Sequence, residues 1–251
     1  MAPFEFDTWY AALPVLVAAA TFTWLLSLPL RNLNVAFPLW SLMLFAAGVT
    51  YALQADPRAP RLSPVLWLLA AWALRLAGHL AVRNAGQPED RRYQDVRARH
   101  QPRFALKSLY LVFWPMAALA WVVSLPLVGA FASIRPLGRL DYAGMLLWAV
   151  GFGIEAVGDW QLARFRRDPA NRGLVLSRGL WRYTRHPNYF GEACAWWGFW
   201  LIACAAGAWW TLPGPVLLTG LLRLRAAGKG RPQYADYVLK TNAFFPARPR
   251  K

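Results

Sequence analysis

The sequence predicts an all-α integral membrane bundle of about seven transmembrane helices. Three observations carry that expectation. Of the 251 residues, 57% are hydrophobic and 16% are charged, against about 25% charged in a soluble domain. The apolar residues fall into segments of about 18–25 residues, the length that crosses a hydrocarbon core of about 30 Å. The basic residues, which bring the net charge to +16, gather between those segments rather than on one polar face. That placement fits loops sorted by the positive-inside rule and argues against nucleic acid as a partner. The length suits a single membrane domain, 1–251, without a separate soluble one.

The expected spans are 9–30, 35–54, 63–82, 108–132, 141–163, 189–206 and 209–225. The first lacks a basic leader and a small-residue cleavage site, so it reads as a span and not a signal peptide. The second contains no glutamate. The third carries Arg75 and His79 four residues apart, on one helix face. An arginine facing lipid is costly, so both are expected to point into the bundle. There they either pair with Glu155, Asp159 or Glu192, or line a ligand pocket. The fifth repeats the four-residue spacing with Glu155 and Asp159, followed by Gln161. The sixth and seventh are divided at Gly207, and Pro213 and Pro215 kink the last. Cys194 and Cys204 lie ten apart in one apolar segment and read as packing residues. His79, His100 and His186 have no metal-ligand spacing, so no metal is expected.

Loop charges set the orientation. The stretches 83–107, 164–188 and 226–251 hold most of the Arg and Lys, whereas the opposite loops hold only Arg58, Arg61, Arg135 and Arg139. This predicts an outside N-terminus, a cytoplasmic C-terminus and a cytosolic-side pocket.

The chemistry concentrates where the sixth span begins. Arg182, Arg185 and His186 supply cationic donors there, Asn188 and Tyr189 neutral ones, and Glu192 follows inside the helix. A charge at a helix centre costs about 2.5–3.5 kcal/mol on insertion scales, so it implies a partner or a function. The cluster suits an anionic, phosphate-bearing ligand. Glu155 and Asp159 can accept from Arg75, from Arg182 or from the vicinal hydroxyls of a ligand sugar, or can move protons. The loop below the third span offers Arg83, Arg91 and Tyr93. The stretch 164–178, with Arg172 in it, is either a phosphate-gripping arginine set or a plain topology signal. Tyr234 and Tyr237, one turn apart, read as an interfacial anchor or as a tail packing back on the site.

The run Gly179-Leu180-Trp181-Arg182-Tyr183-Thr184-Arg185-His186-Pro187-Asn188-Tyr189-Phe190-Gly191-Glu192 resembles a signature shared by three membrane families. These are steroid 5-alpha-reductases, sterol C14-type reductases and isoprenylcysteine carboxyl methyltransferases. Further pieces are Glu89-Asp90-Arg91-Arg92-Tyr93, Glu155…Asp159-Trp160-Gln161 and Tyr234…Tyr237…Thr241…Phe244-Phe245-Pro246. The set is most similar to a bacterial, domain-of-unknown-function branch of the steroid 5-alpha-reductase-like family, over about 65–248.

The resemblance implies NADPH bound in the cytosolic half of a seven-helix bundle in the bacterial inner membrane. Asn188 and Glu192 match residues at the nicotinamide end, and Arg75 and Asp159 match cofactor contacts. Arg83, Arg172, Arg182, Arg185 and His186 join them as candidates. In the tail, the family's tyrosine and histidine fall on small residues, leaving Lys229 and Arg231 for phosphate. At the substrate end the family's glutamine–glutamate pair is missing from the second span, and Trp72 falls near its tyrosine. A 3-oxo-4-ene steroid is therefore not assumed.

The expected activity is NADPH-dependent reduction of a C=C bond in a lipophilic, steroid-like or isoprenoid substrate, with membrane lipid as the other partner. Tyr183, Tyr189 and His79 are the candidate donors to the developing enolate. One alternative is an S-adenosylmethionine-dependent methyltransferase of a prenylated or phospholipid substrate. A second is a non-catalytic lipid-binding protein.

Overall fold

A computed structural model describes residues 6–226 and 234–250. Among the described residues all regular structure is helical. The helices are α1 (Phe6–Leu30), α2 (Ala36–Ala52), α3 (Leu62–Asn84), α4 (Arg91–Arg99), α5 (Phe104–Ser108), α6 (Trp114–Val123), α7 (Leu125–Phe131), α8 (Arg139–Arg167), α9 (Pro187–Ala205), α10 (Pro213–Ala226) and α11 (Ala235–Lys240).

Five stretches are long and apolar enough to cross a membrane: Phe6–Leu30, Leu33–Ala52, Leu62–Asn84, Phe104–Phe131 and Arg139–Arg167. The last two expected spans are occupied by α9, of 19 residues, and α10, of 14. At 1.5 Å per residue, α10 rises only about 21 Å, less than a hydrocarbon core. Large apolar side chains cover the outside as well as the core, among them Trp67, Leu74, Leu146 and Val216. A bundle apolar on both sides is what a bilayer solvates.

Local chemistry explains the irregularities. The fourth stretch contains a π-helical turn, Leu109–Phe113, just before Pro115. Proline has no N–H to give and its ring crowds the carbonyl of Leu111, so the ladder loosens there. It breaks again at Ser124, before Pro126, where the Ser124 hydroxyl bonds Trp121 O at 2.8 Å and meets Tyr51 Oη at 2.8 Å. Helix α9 ends as the sequence suggests. Gly207 takes φ +91°, and the amides of Gly207 and Ala208 bond Cys204 O and Ala203 O at 2.9 Å each. This six-to-one, five-to-two pattern satisfies the last carbonyls.

Helices α8 and α9 pack almost backbone to backbone. Gly144, Gly151 and Gly158 recur every seven residues on α8, and Gly191 and Gly198 do so on α9. A Cβ at Gly151 would lie 2.6 Å from Gly191 O, and one at Gly198 would lie 2.6 Å from Gly144 O. This contact holds Glu155 beside Glu192. At the far end, Arg61 bonds Asp141 at 2.7 and 2.8 Å, and Asp141 also accepts from Gly138 N at 2.8 Å. The pair is fully buried and ties the α2–α3 connection to the start of α8.

Candidate functional site

Three residues on one face of α3 meet the acids of α8. Arg75 bonds Glu155 through Nη2 and Asp159 through Nη1, the latter at 2.8 Å. Trp72 Nε1 donates to the second Glu155 oxygen at 2.9 Å. His79 Nε2 lies 3.7 Å from Asp159 Oδ1. The i, i+3, i+7 spacing of these α3 residues puts them on one stripe, and the four-residue spacing of the acids matches it. The inward orientation expected for Arg75 is thus found, with two of its three possible partners.

Helix α9 brings the signature residues to the same acids. Pro187 opens it, where its missing N–H costs nothing. Asn188 Nδ2 donates to Asp159 Oδ1 at 3.1 Å, and Asn188 Oδ1 is buried without a partner. Glu192 accepts from Trp40 Nε1 of α2 at 3.2 Å. Among the described residues it forms no ion pair with Arg75 or Arg185.

These groups form the floor of a cavity of about 350 Å³, within the usual range for small-molecule sites. Tyr189, Tyr93, Arg83, Arg92 and Arg225 also line it. Its apolar wall comes from Leu76 and Leu80 of α3, from Leu111 to Leu119 along the irregular fourth stretch, and from Leu218, Leu221 and Leu222 of α10. The π turn places Leu111 and Val112 in this wall.

The rim is fixed by side chains of the turn before α2. Asn34 donates to Pro88 O at 3.0 Å and accepts from Asp90 N at 2.9 Å. Asn32 donates to Gln87 O at 3.1 Å. Glu89 accepts from Leu33 N at 3.0 Å and from Arg97 at 2.7 and 2.8 Å. Burial raises the Glu89 carboxyl, but the Arg97 bonds and the Leu33 amide outweigh it, so its pKa sits below the ordinary value. Asp90 caps α4 and grips Arg92 at 2.9 Å, while Arg83 and Arg92 both lie over the Phe37 ring.

The loop before α9 is held from both sides. Trp181 Nε1 donates to Gly158 O at 3.1 Å, and Leu180 N to Gln161 Oε1 at 3.0 Å. From the other side the chain end packs back on it. Thr184 Oγ1 donates to Phe244 O at 2.8 Å, Arg185 N to Asn242 O at 2.9 Å, and the Tyr237 hydroxyl to Trp181 O. Burial lowers the His186 pKa more than its Ala243 contact raises it. The neutral ring gives its Nδ1 proton to Ala243 O at 3.0 Å and stacks on Tyr189, centroids 5.1 Å apart.

Of the residues singled out in the sequence, Arg83, Asp159, Asn188, Tyr189 and Glu192 line the cavity. Arg75 braces its floor. Arg185 and His186 hold the signature loop to the tail. Arg182, Tyr183 and Arg172 are exposed and line neither this cavity nor its neighbour. Lys229 and Arg231 lie outside the described residues. Trp40, Arg92 and Arg225 are cavity residues that the sequence did not single out. Arg92 sits inside a quoted motif, but Trp40 and Arg225 carry no local signal.

His79 opens instead onto a second, more open cleft of about 640 Å³ between α3 and α8. Arg75, Asp159, Trp160, Arg164 and Arg167 line it as well. The Arg75–Asp159 pair is therefore the partition between the two spaces.

A model of the family described as a protein of unknown function (DUF1295) matches residues 8–233. No curated protein and no solved structure matches the chain.

Proposed function

The chain belongs to the DUF1295 family, and we propose that it is a membrane-bound, NADPH-dependent reductase of a C=C bond in a lipophilic substrate. One observation carries this reading. A single cavity joins a buried amide–carboxylate floor (Asn188, Asp159, Glu192) to an arginine-bearing mouth (Arg83, Arg92, Arg225) and an aliphatic wall. The likeness of 179–192 to the reductase signature supports the same conclusion.

The residues present suit NADPH. Asn188 Oδ1 is a buried acceptor with no partner, and a carboxamide N–H satisfies it. Glu192 offers a second acceptor. Arg83 and Arg225 form no ion pair among the described residues and suit phosphate. Bound NADPH supplies a hydride to the β carbon of a polarised alkene. The protein's part is to hold the partners in line, to exclude water with the wall of α6 and α10, and to stabilise the oxygen on which charge develops. Of the three candidate donors, Tyr189 is the one that lines the cavity, and its phenol carries a transferable proton. Loop charges support an N-terminus outside and a C-terminus in the cytoplasm, and the resemblance to a bacterial branch supports an inner-membrane setting. In that setting α9 and α10 complete seven crossings.

Reconstituted protein supplied with a panel of isoprenoid and steroid-like enones should oxidise NADPH. Tyr189→Phe should lower kcat and leave NADPH binding unchanged. Methyl transfer from S-adenosylmethionine without NADPH oxidation would replace this reading with the methyltransferase.

A further inference from the structure

The open cleft between α3 and α8 lies on the other side of the Arg75–Asp159 pair from the cavity proposed for the reduction. We propose that it binds the phosphate headgroup of an anionic phospholipid. Three arginines, Arg75, Arg164 and Arg167, line it against one carboxylate, Asp159. Arg75 already answers Asp159 and Glu155. Arg164 and Arg167 form no ion pair among the described residues, so the uncompensated charge of the cleft is theirs.

The position fits a headgroup rather than a free solute. Arg164 and Arg167 sit in the last turn of α8, where its apolar stretch ends. Trp160, 58% exposed, lies one turn earlier, with the Arg164 guanidinium 5.6 Å from its ring. Tryptophan with arginine at a helix end marks the headgroup level of a bilayer. Exposed Leu74 of α3 and Val157 of α8 add apolar surface to the two helices that border the cleft. A phosphate among the arginines would thus leave its acyl chains along the aliphatic flank. The Arg75–Asp159 partition puts this lipid one side chain away from the main cavity.

The test is native mass spectrometry of the full chain with phosphatidylglycerol or phosphatidylcholine, comparing the wild type with an Arg164→Gln/Arg167→Gln double variant. The wild type should retain phosphatidylglycerol selectively. The double variant should lose roughly 30-fold in that preference, about fivefold per arginine, with an unchanged melting temperature without lipid. Saturating NADPH should leave the lipid bound. Equal retention of both lipids by the wild type, undiminished selectivity in the variant, or competition by inorganic phosphate alone would each overturn the proposal. Displacement by NADPH would also overturn it and assign the cleft to the dinucleotide. Failure of NADPH to bind anywhere would sink the reductase and leave the lipid site standing.

Discussion

Glu192→Gln separates a binding role for this carboxylate from a structural one. Its bond within the protein is the 3.2 Å contact from Trp40 Nε1, long for an N–H···O bond, and the amide oxygen of glutamine can accept it equally. The neutral side chain is also cheaper to bury than a carboxylate. The unliganded variant should therefore melt within about 1 kcal/mol of the wild type. If Glu192 holds the nicotinamide carboxamide as proposed, binding should change far more, because one acceptor oxygen becomes an N–H2 donor. A hydrogen bond to a charged group contributes about 1.5–3 kcal/mol, so NADPH affinity should fall roughly 10- to 150-fold. Arg75→Gln supplies the contrast. It leaves Glu155 and Asp159, with side chains 2% and 6% exposed, without their cation, which costs about 3–5 kcal/mol. Thermal melts without ligand and NADPH titrations on both variants read the two effects. An unstable Glu192→Gln protein with unchanged NADPH affinity would refute the reasoning.

Gly198→Ala should destabilise by about 1–3 kcal/mol, because its Cβ would meet the Gly144 carbonyl at 2.6 Å. Gly153→Ala on the same helix pair meets nothing within 4 Å and should gain about 0.5–1 kcal/mol; equal melting temperatures would contradict the α8–α9 packing. Glu89, held below its usual pKa in the folded state, stabilises the rim above its unfolded value of about 4.3. That contribution is lost as the pH falls through its lower folded value. The protection factor of the Leu33 amide, its exchange rate taken relative to the intrinsic rate at each pH, should therefore fall in acid, and Glu89→Gln should flatten that fall; an unaltered profile would count against it. Arg83→Gln with Arg225→Gln should shrink the preference for NADPH over NADH and its sensitivity to salt, and equal ratios in variant and wild type would free both arginines from a phosphate role.

The inward face of α3 is legible in the sequence because two charged residues four apart in an apolar helix have few places to go. The same spacing in Glu155 and Asp159 identifies the acceptors. The end of α9 is legible because Gly207 supplies the positive φ that a helix stop uses. Trp40 is not legible. It is one of 15 tryptophans, and its bond to Glu192 spans 152 positions, so no local pattern points to it. Arg225 reaches the cavity only through the packing of α10. The Arg61–Asp141 pair is hidden for the same reason, since Arg61 alone reads as a loop charge and Asp141 as the first residue of an expected span. Arg182 and Tyr183 are placed by the local turn and not by the motif. They belong to the signature by sequence, yet the turn before α9 points them to solvent, while their backbone neighbours Trp181 and Thr184 anchor the loop.

The most direct measurement is a parallel titration of the purified chain in nanodiscs with NADPH, NADH and S-adenosylmethionine, followed by calorimetry. One NADPH per chain should bind saturably, NADH more weakly and S-adenosylmethionine not at all. Binding of S-adenosylmethionine, or of none of the three, would contradict the proposed function.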